Sequence, residues 1–214
     1  MNACCRAAIA DHHFGSAKAR SQVEAYRAHG PDRITRLALA LLRALPISSA
    51  RLLDVGGGIG VIGRELLREE RVSTVTMVEE SSAYLAAARA LAEEDRTTDR
   101  HTFVAGDFVG VAAGVGPADV VTLHRVVCCY PDYTALLDAA AASGARSALL
   151  SYPRDRWYVR AVLSTENLLC RVRGDPFRSY VHPEPGIRNR MKANGFRRVS
   201  DAATPFWRLE VYAK

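Results

Sequence analysis

No stretch of the sequence stays apolar for long. Runs such as Leu37 to Leu42 fall far short of the ~18 residues that a membrane-spanning helix needs, so none is expected. Residues Met1 to Asp11 hold a single Arg6 and only the short run Ala7 to Ala10. That is too little for the apolar centre of a secretory signal, and a cytoplasmic location is the expectation. Cys-x-x-Cys is absent from the five cysteines. Cys4 and Cys5, like Cys128 and Cys129, are neighbours that cannot close an unstrained bridge with each other. Reduced thiols are therefore expected, packed as small hydrophobes, and no metal site is assigned. Internal repeats and disordered composition are also missing, which argues against a repeat protein and against a disordered chain.

What is present is enough for one full core: 49% of the 214 residues are hydrophobic and 24% charged, and a single domain is expected over 1–214. The net charge of +6 is uneven, with −1 over residues 1–150 and +7 over 151–214. The whole positive excess lies in the C-terminal third.

From Ser16 to Leu45 the pattern is helical, broken at Gly30-Pro31, where Pro31 suits the first turn of a second helix. After Pro46, β-rich runs alternate with helical ones. Strands are predicted at 52–55, 73–78, 102–105, 119–123 and 147–151, with helices at 61–70, 83–94 and 133–142. Such alternation implies an α/β fold, a mostly parallel sheet with helices on both faces. A helix over 154–173, another over 186–193, and an antiparallel strand pair at 196–200 and 207–212 complete the chain.

The stretch Leu52-Leu53-Asp54-Val55-Gly56-Gly57-Gly58-Ile59-Gly60 runs from an apolar strand through a glycine loop into a helix. Glycines let a ligand approach the backbone, and the helix start offers unpaired N–H groups. Gly58-x-Gly60-x-x-Gly63 also satisfies the dinucleotide fingerprint, which keeps an NAD(P)-dependent oxidoreductase as an alternative. Two acids bear on the choice. Asp54, two residues before the glycines, would repel a phosphate and attract an ammonium group. Glu79 stands 19 residues after Gly60, where a strand-end carboxylate can accept from both ribose hydroxyls. A nucleoside carrying a cationic amino-acid tail satisfies both.

These residues resemble the class I S-adenosylmethionine-dependent methyltransferases over roughly residues 50–152. The Asp54-x-Gly56-x-Gly58-x-Gly60 array is similar to the family's first motif, and Val78-Glu79-Glu80-Ser81 to its ribose-binding strand end. Gly106-Asp107-Phe108 is similar to the segment that meets the adenine, and Ala118-Asp119-Val120-Val121 to the fourth strand, which ends at the transfer site. The resemblance implies a Rossmann-like seven-stranded sheet and S-adenosyl-L-methionine as cofactor. It implies Asp54, Gly56, Gly58 and Gly60 around the methionine part, Glu79 at the ribose, and Asp107 with Phe108 at the adenine. It also divides the chain into an N-terminal helical lid (1–48), the cofactor-binding core (50–152), an acceptor-side insertion (153–185) and a final helix and strand pair (186–214). A protein that binds the cofactor without catalysis is the second alternative.

The segment His124-Arg125-Val126-Val127-Cys128-Cys129-Tyr130-Pro131 follows the fourth strand, at the crevice where α/β folds place ligands. His124 is the candidate for proton abstraction or substrate orientation, since its ordinary pKa suits neutral pH. Arg125 is the candidate partner of an acidic substrate group, and Tyr130 the aromatic of the transfer site. No Asp/Asn-Pro-Pro-aromatic motif is present, which speaks against methylation of nucleic-acid bases. The loop with its Tyr-Pro is similar to that of the magnesium-protoporphyrin O-methyltransferases, with Cys129 where that subgroup has histidine. A small-molecule acceptor follows, of planar or lipid-like carboxylic acid, phenol or quinone type, and no nucleic acid. Arg154, Arg156, Arg160, Arg171, Arg173 and Arg178, with Trp157 and Tyr158 among them, suit a lid over an anionic acceptor, a peripheral contact with anionic membrane lipid, or a solvated face.

Overall fold

The computed structural model describes residues 9–214; Cys4, Cys5 and the rest of the first eight residues of the expected lid lie outside the described residues. In chain order the elements are α1 (Ser16–His29), α2 (Arg33–Arg43), β1 (Ala50–Val55), α3 (Val61–Arg68), β2 (Val72–Glu79), α4 (Ser82–Glu94), β3 (His101–Ala105), the single turn α5 (Phe108–Val111), β4 (Val120–His124), α6 (Tyr133–Ala142), β5 (Ser147–Pro153), α7 (Trp157–Val172), α8 (Glu184–Ala193), β6 (Arg197–Ala203) and β7 (Trp207–Ala213). Among the described residues no helix is long and apolar enough to cross a membrane.

The strands form one seven-stranded sheet in the order β3-β2-β1-β4-β5-β7-β6. β1 to β5 pair in parallel, and β7 runs antiparallel to both β5 and β6. Alternate residues of β1 face opposite layers. Leu53 and Val55 pack with Leu123, Leu136 and Ile187, whereas Leu52 packs with Leu39, Leu42 and Ile62. Each leucine so buried contributes about 1.5–3 kcal/mol. The chain order reverses between β1 and β4, so their carboxyl ends open the crevice that such sheets offer to ligands.

Pro31 stands outside α2 rather than in its first turn. The helix starts at Arg33 because Asp32 caps it, its Oδ1 accepting from the Thr35 N–H at 2.8 Å.

The antiparallel end of the sheet closes on a charge. Glu210 is fully buried and accepts from the hydroxyls of Tyr152 (2.6 Å) and Tyr212 (2.5 Å), from Arg188 Nε (2.8 Å) and from Arg198 Nη1 (3.1 Å). Burial opposes ionisation, but these donors outweigh it and hold the carboxyl below its ordinary 4.5. A depressed acid gives stability that is complete above the ordinary value and drains away as pH falls through the lower, folded one. Thermal melts should therefore drop steeply below about pH 4.5, and Glu210→Gln should flatten that drop while lowering the melt at neutral pH.

Candidate active site

β1, β2 and β4 end at the crevice, and the sequence puts an acid, a glycine loop or a histidine at each end. Asp54 pairs in register with Met77 and Thr122, so its side chain is enclosed by sheet. It is 1% exposed, and its one hydrogen-bond donor among the described residues is Thr122 Oγ1 at 2.6 Å. Burial pushes its pKa up to about 6, and the threonine bond only partly offsets that.

The loop that follows is built to leave space. Gly56, Gly58 and Gly60 have φ of 60°, 60° and 77°, which L side chains rarely adopt. A Cβ on Gly56 would stand 2.1 Å from Val126 Cγ2, and one on Gly57 2.7 Å from Asp54 Oδ2. Gly56→Ala should accordingly lower stability by about 1–3 kcal/mol and weaken cofactor binding, measured by thermal melt and calorimetry. Gly57, absent from the expected set, is required because the Asp54 carboxylate lies against it.

Glu79 closes the other side of the loop. Its Oε2 accepts from Gly58 N and its Oε1 from Ser81 N, both at 3.0 Å. Burial raises its pKa to about 7, aided by the charge of Glu80 and opposed by the backbone donors. Two carboxyls are thus held in the crevice at a cost, which an ammonium beside Asp54 and hydroxyl donors beside Glu79 would relieve. The acids and the Cβ-free loop fit a nucleoside with an amino-acid tail. At the third strand end, Gly106 and Phe108 line the cavity, while Asp107 accepts from the Tyr130 hydroxyl at 2.5 Å.

The residues expected around the transfer site are arranged differently from expectation. His124 is in the cavity wall, but its Nδ1 bonds Ser151 Oγ (2.9 Å) and its Nε2 bonds Thr35 Oγ1 (3.2 Å). Burial, with Arg125 beside it, pushes its pKa down to about 4. The ring is neutral at neutral pH and brackets α2 to β5, and the ordinary pKa that recommended it as a base does not apply. Arg125 takes a left-handed φ of 62°, pairs with Asp32 at 3.0 Å and lies over the Trp207 ring at 5.3 Å. Tyr130 is buried, and its hydroxyl braces Asp107 instead of joining His124. Cys128 and Cys129 both direct Sγ to the Arg125 carbonyl, at 3.6 and 3.7 Å. Contact with Cys128, burial, and the charges of Glu79 and Glu80 push the Cys129 thiol's pKa well above its ordinary value.

Of the six arginines at 154–178, Arg173 and Arg178 line the cavity. Arg154 turns to the Thr204 carbonyl, Arg160 to Asp155, and Arg156 to solvent, because α7 points that flank outward.

A cluster that sequence reasoning missed stands at the cavity wall, where His13, Lys18 and Phe177 are lining residues. His13 Nδ1 is 2.6 Å from Asp175 Oδ2, its ring stacks on Phe177 at 4.0 Å, and its Nε2 is 3.2 Å from Lys18 Nζ. Asp175 is held below the ordinary carboxylate value; burial opposes this, but bonds from His13 and the Phe177 N–H prevail. Burial lowers the pKa of Lys18, against the pull of Asp175. Phe14, beside His13, is tied to the core where the Ser81 hydroxyl donates to its carbonyl at 2.8 Å.

One cavity of about 1180 Å³ is lined by Asp54, the glycine loop, Glu79, Phe108, His124 and His13 together. A family model described as a methyltransferase domain matches residues 26–201. No curated protein matches the chain. Among solved structures, magnesium protoporphyrin IX methyltransferase from Synechocystis PCC 6803 with bound SAH is similar at 20% identity and a TM-score of 0.67, over 85% of this chain and 81% of that one. An O-methyltransferase family protein from Burkholderia thailandensis gives 17% identity and a TM-score of 0.72, over 96% and 62%. The putative methyltransferase solved with the Haloferax volcanii Trm112 activator gives 17% and 0.69, over 92% and 94%. At these identities the structures speak for the fold, and the family match speaks for the chemistry in place of a nicotinamide oxidoreductase. The chain belongs to the methyltransferase domain family, as an S-adenosylmethionine-dependent methyltransferase.

Proposed function

We propose that the chain methylates a small amphipathic acceptor, on oxygen or on an activated carbon, in the cavity shared with the cofactor. The observation that carries this reading is the size and two-sided lining of that cavity. Its 1180 Å³ exceeds the roughly 300–1,000 Å³ of a site for one small ligand, leaving room for an acceptor beside the cofactor. One side is walled by the glycine loop, Glu79 and Phe108. The other is walled by Leu163, Leu169, Phe206 and Trp207, with Lys18, Arg36 and Arg173 among them, a lining suited to an apolar body with an anionic group.

In this reading Asp54 meets the ammonium end of the cofactor, Gly56, Gly58 and Gly60 leave its path clear, Glu79 takes the ribose hydroxyls, and Phe108 packs the adenine. Asp107, held by Tyr130, faces the adenine amino group. When bound, the cofactor supplies an electrophilic methyl group on a sulfonium. The protein then has to align the acceptor, exclude water and receive a proton. Three residues suit the last task. An acceptor hydroxyl that takes the place of Lys18 at His13 Nε2, with the ammonium turned onto its oxygen, would give its proton to that nitrogen. Asp175 would hold His13 Nδ1–H and stabilise the imidazolium, and the Lys18 ammonium would stabilise the oxyanion. His124 and Arg125 shape the wall by bracing α2, with Arg125 also within reach of an anionic group.

The test is incubation with radiolabelled S-adenosylmethionine and fractionated cell extract, followed by mass spectrometry of labelled products. A labelled small amphipathic product is expected. Label only in protein or RNA would overturn the acceptor class. Calorimetric binding of S-adenosylhomocysteine with no transfer to any fraction would favour a non-catalytic binding protein.

A further inference from the structure

α7 has two faces with opposite histories. Leu163, Glu166, Asn167 and Cys170 line the cavity, and Val159 and Leu163 are its two buried residues. On the other side Trp157, Leu168 and Val172 stand 81%, 57% and 77% exposed. With Ala161 they recur at intervals of four, seven and four residues, the spacing of one helical face. A tryptophan this exposed leaves a large apolar surface in water, and a row of such side chains marks a surface that meets something apolar.

The charges around the row identify that partner. Arg156, Arg160 and Arg171 flank it. Arg160 pairs with Asp155, while Arg156 and Arg171 form no side-chain hydrogen bond or ion pair among the described residues. Glu166, the one acid within α7, is on the cavity side. A second copy of the chain on this face, related by a two-fold axis, would bring like arginines together without an acid to answer them. A surface with apolar depth and negative headgroups answers both features, since an interfacial helix sets Trp and Leu into the acyl boundary with arginines at headgroup level.

We propose that α7 is a membrane-surface helix, by which the protein docks on bilayers containing anionic lipid. The docked helix carries one wall of the cavity on its reverse face, so an amphipathic acceptor would reach the site directly from the lipid layer. The docking itself is independent of which acceptor is used.

The experiment is co-sedimentation of the full chain with vesicles of phosphatidylcholine and phosphatidylglycerol, and with phosphatidylcholine alone. Binding to the mixed vesicles is expected, with a blue shift of tryptophan emission. Arg156→Gln with Arg171→Gln should weaken it by roughly tenfold or more, as should omission of the anionic lipid. Trp157→Glu with Leu168→Glu should abolish it, while the thermal melt and S-adenosylhomocysteine binding stay as in the parent. Three results would overturn the proposal: no binding to mixed vesicles, undiminished binding by the Trp157/Leu168 variant, or a dimer in sedimentation velocity that this variant dissociates.

Discussion

Glu79→Ala is expected to raise the dissociation constant for S-adenosylmethionine by two orders of magnitude or more while the chain stays folded. Hydrogen bonds to a charged group contribute about 1.5–3 kcal/mol each, and two ribose hydroxyls on one carboxylate would lose roughly twice that. At 1.4 kcal/mol per factor of ten the loss is about 10²–10⁴ in affinity. The variant also strips Gly58 N and Ser81 N of their acceptor, which loosens the loop and adds to the effect. The same residue sets a pH dependence. Burial raises the free protein's Glu79 to about 7, and hydroxyl donors prefer the carboxylate, so binding should weaken as pH falls below about 7. In the free protein the sign is opposite. A carboxyl whose pKa is raised on folding costs stability as pH climbs from its ordinary value to the folded one. Glu79→Gln should therefore stabilise the unliganded chain at neutral pH, lower its affinity, and leave only the pH dependence that Asp54, raised to about 6, gives to binding. Calorimetry of parent and variant at pH 6 and pH 8 decides the matter: an affinity and a pH dependence both unaltered by Glu79→Ala would remove Glu79 from the ribose site.

The order of the elements and the placing of acids and glycines at the crevice were legible because both are local. Two-residue alternation, the glycines and the caps fix β1 to β5, and an acid at a strand's end must face the crevice whatever the rest of the chain does. Asp54 and Glu79 belong to that class. Burial and pairing are not local. His124 looks like a base in sequence because nothing near it shows that Thr35, 89 residues earlier, and Ser151 on the next strand take its two nitrogens. The arginines after Pro153 look like a lid until the rotation of α7 is known, which turns Arg156 and Arg160 outward and leaves Arg173 at the cavity. His13 and Asp175 are 162 residues apart and carry no motif, and only the docking of the N-terminal segment on the turn after α7 brings them together.

His13→Ala is expected to reduce kcat by roughly 10²–10⁴, the range that a positioned acid–base group supplies, with little change in cofactor affinity. His124 is buried with its pKa pushed down to about 4, which makes it a weak base, Cys129 is held as a thiol, and Tyr130 is committed to Asp107. His13 alone among the cavity histidines has one nitrogen fixed by a carboxylate and the other beside a lysine ammonium. Asp175→Asn should act in the same direction, because an amide cannot stabilise the imidazolium as a carboxylate does. His13 also stacks on Phe177, so a structural role has to be told apart from a chemical one. His13→Gln keeps a donor toward Asp175 and a flat side chain on Phe177 but cannot carry the proton. If it restores kcat, His13 only holds the N-terminal segment in place. If it restores the melting temperature and the acceptor KM while kcat stays low, the proton passes through His13, and the acceptor carries a hydroxyl that must lose it.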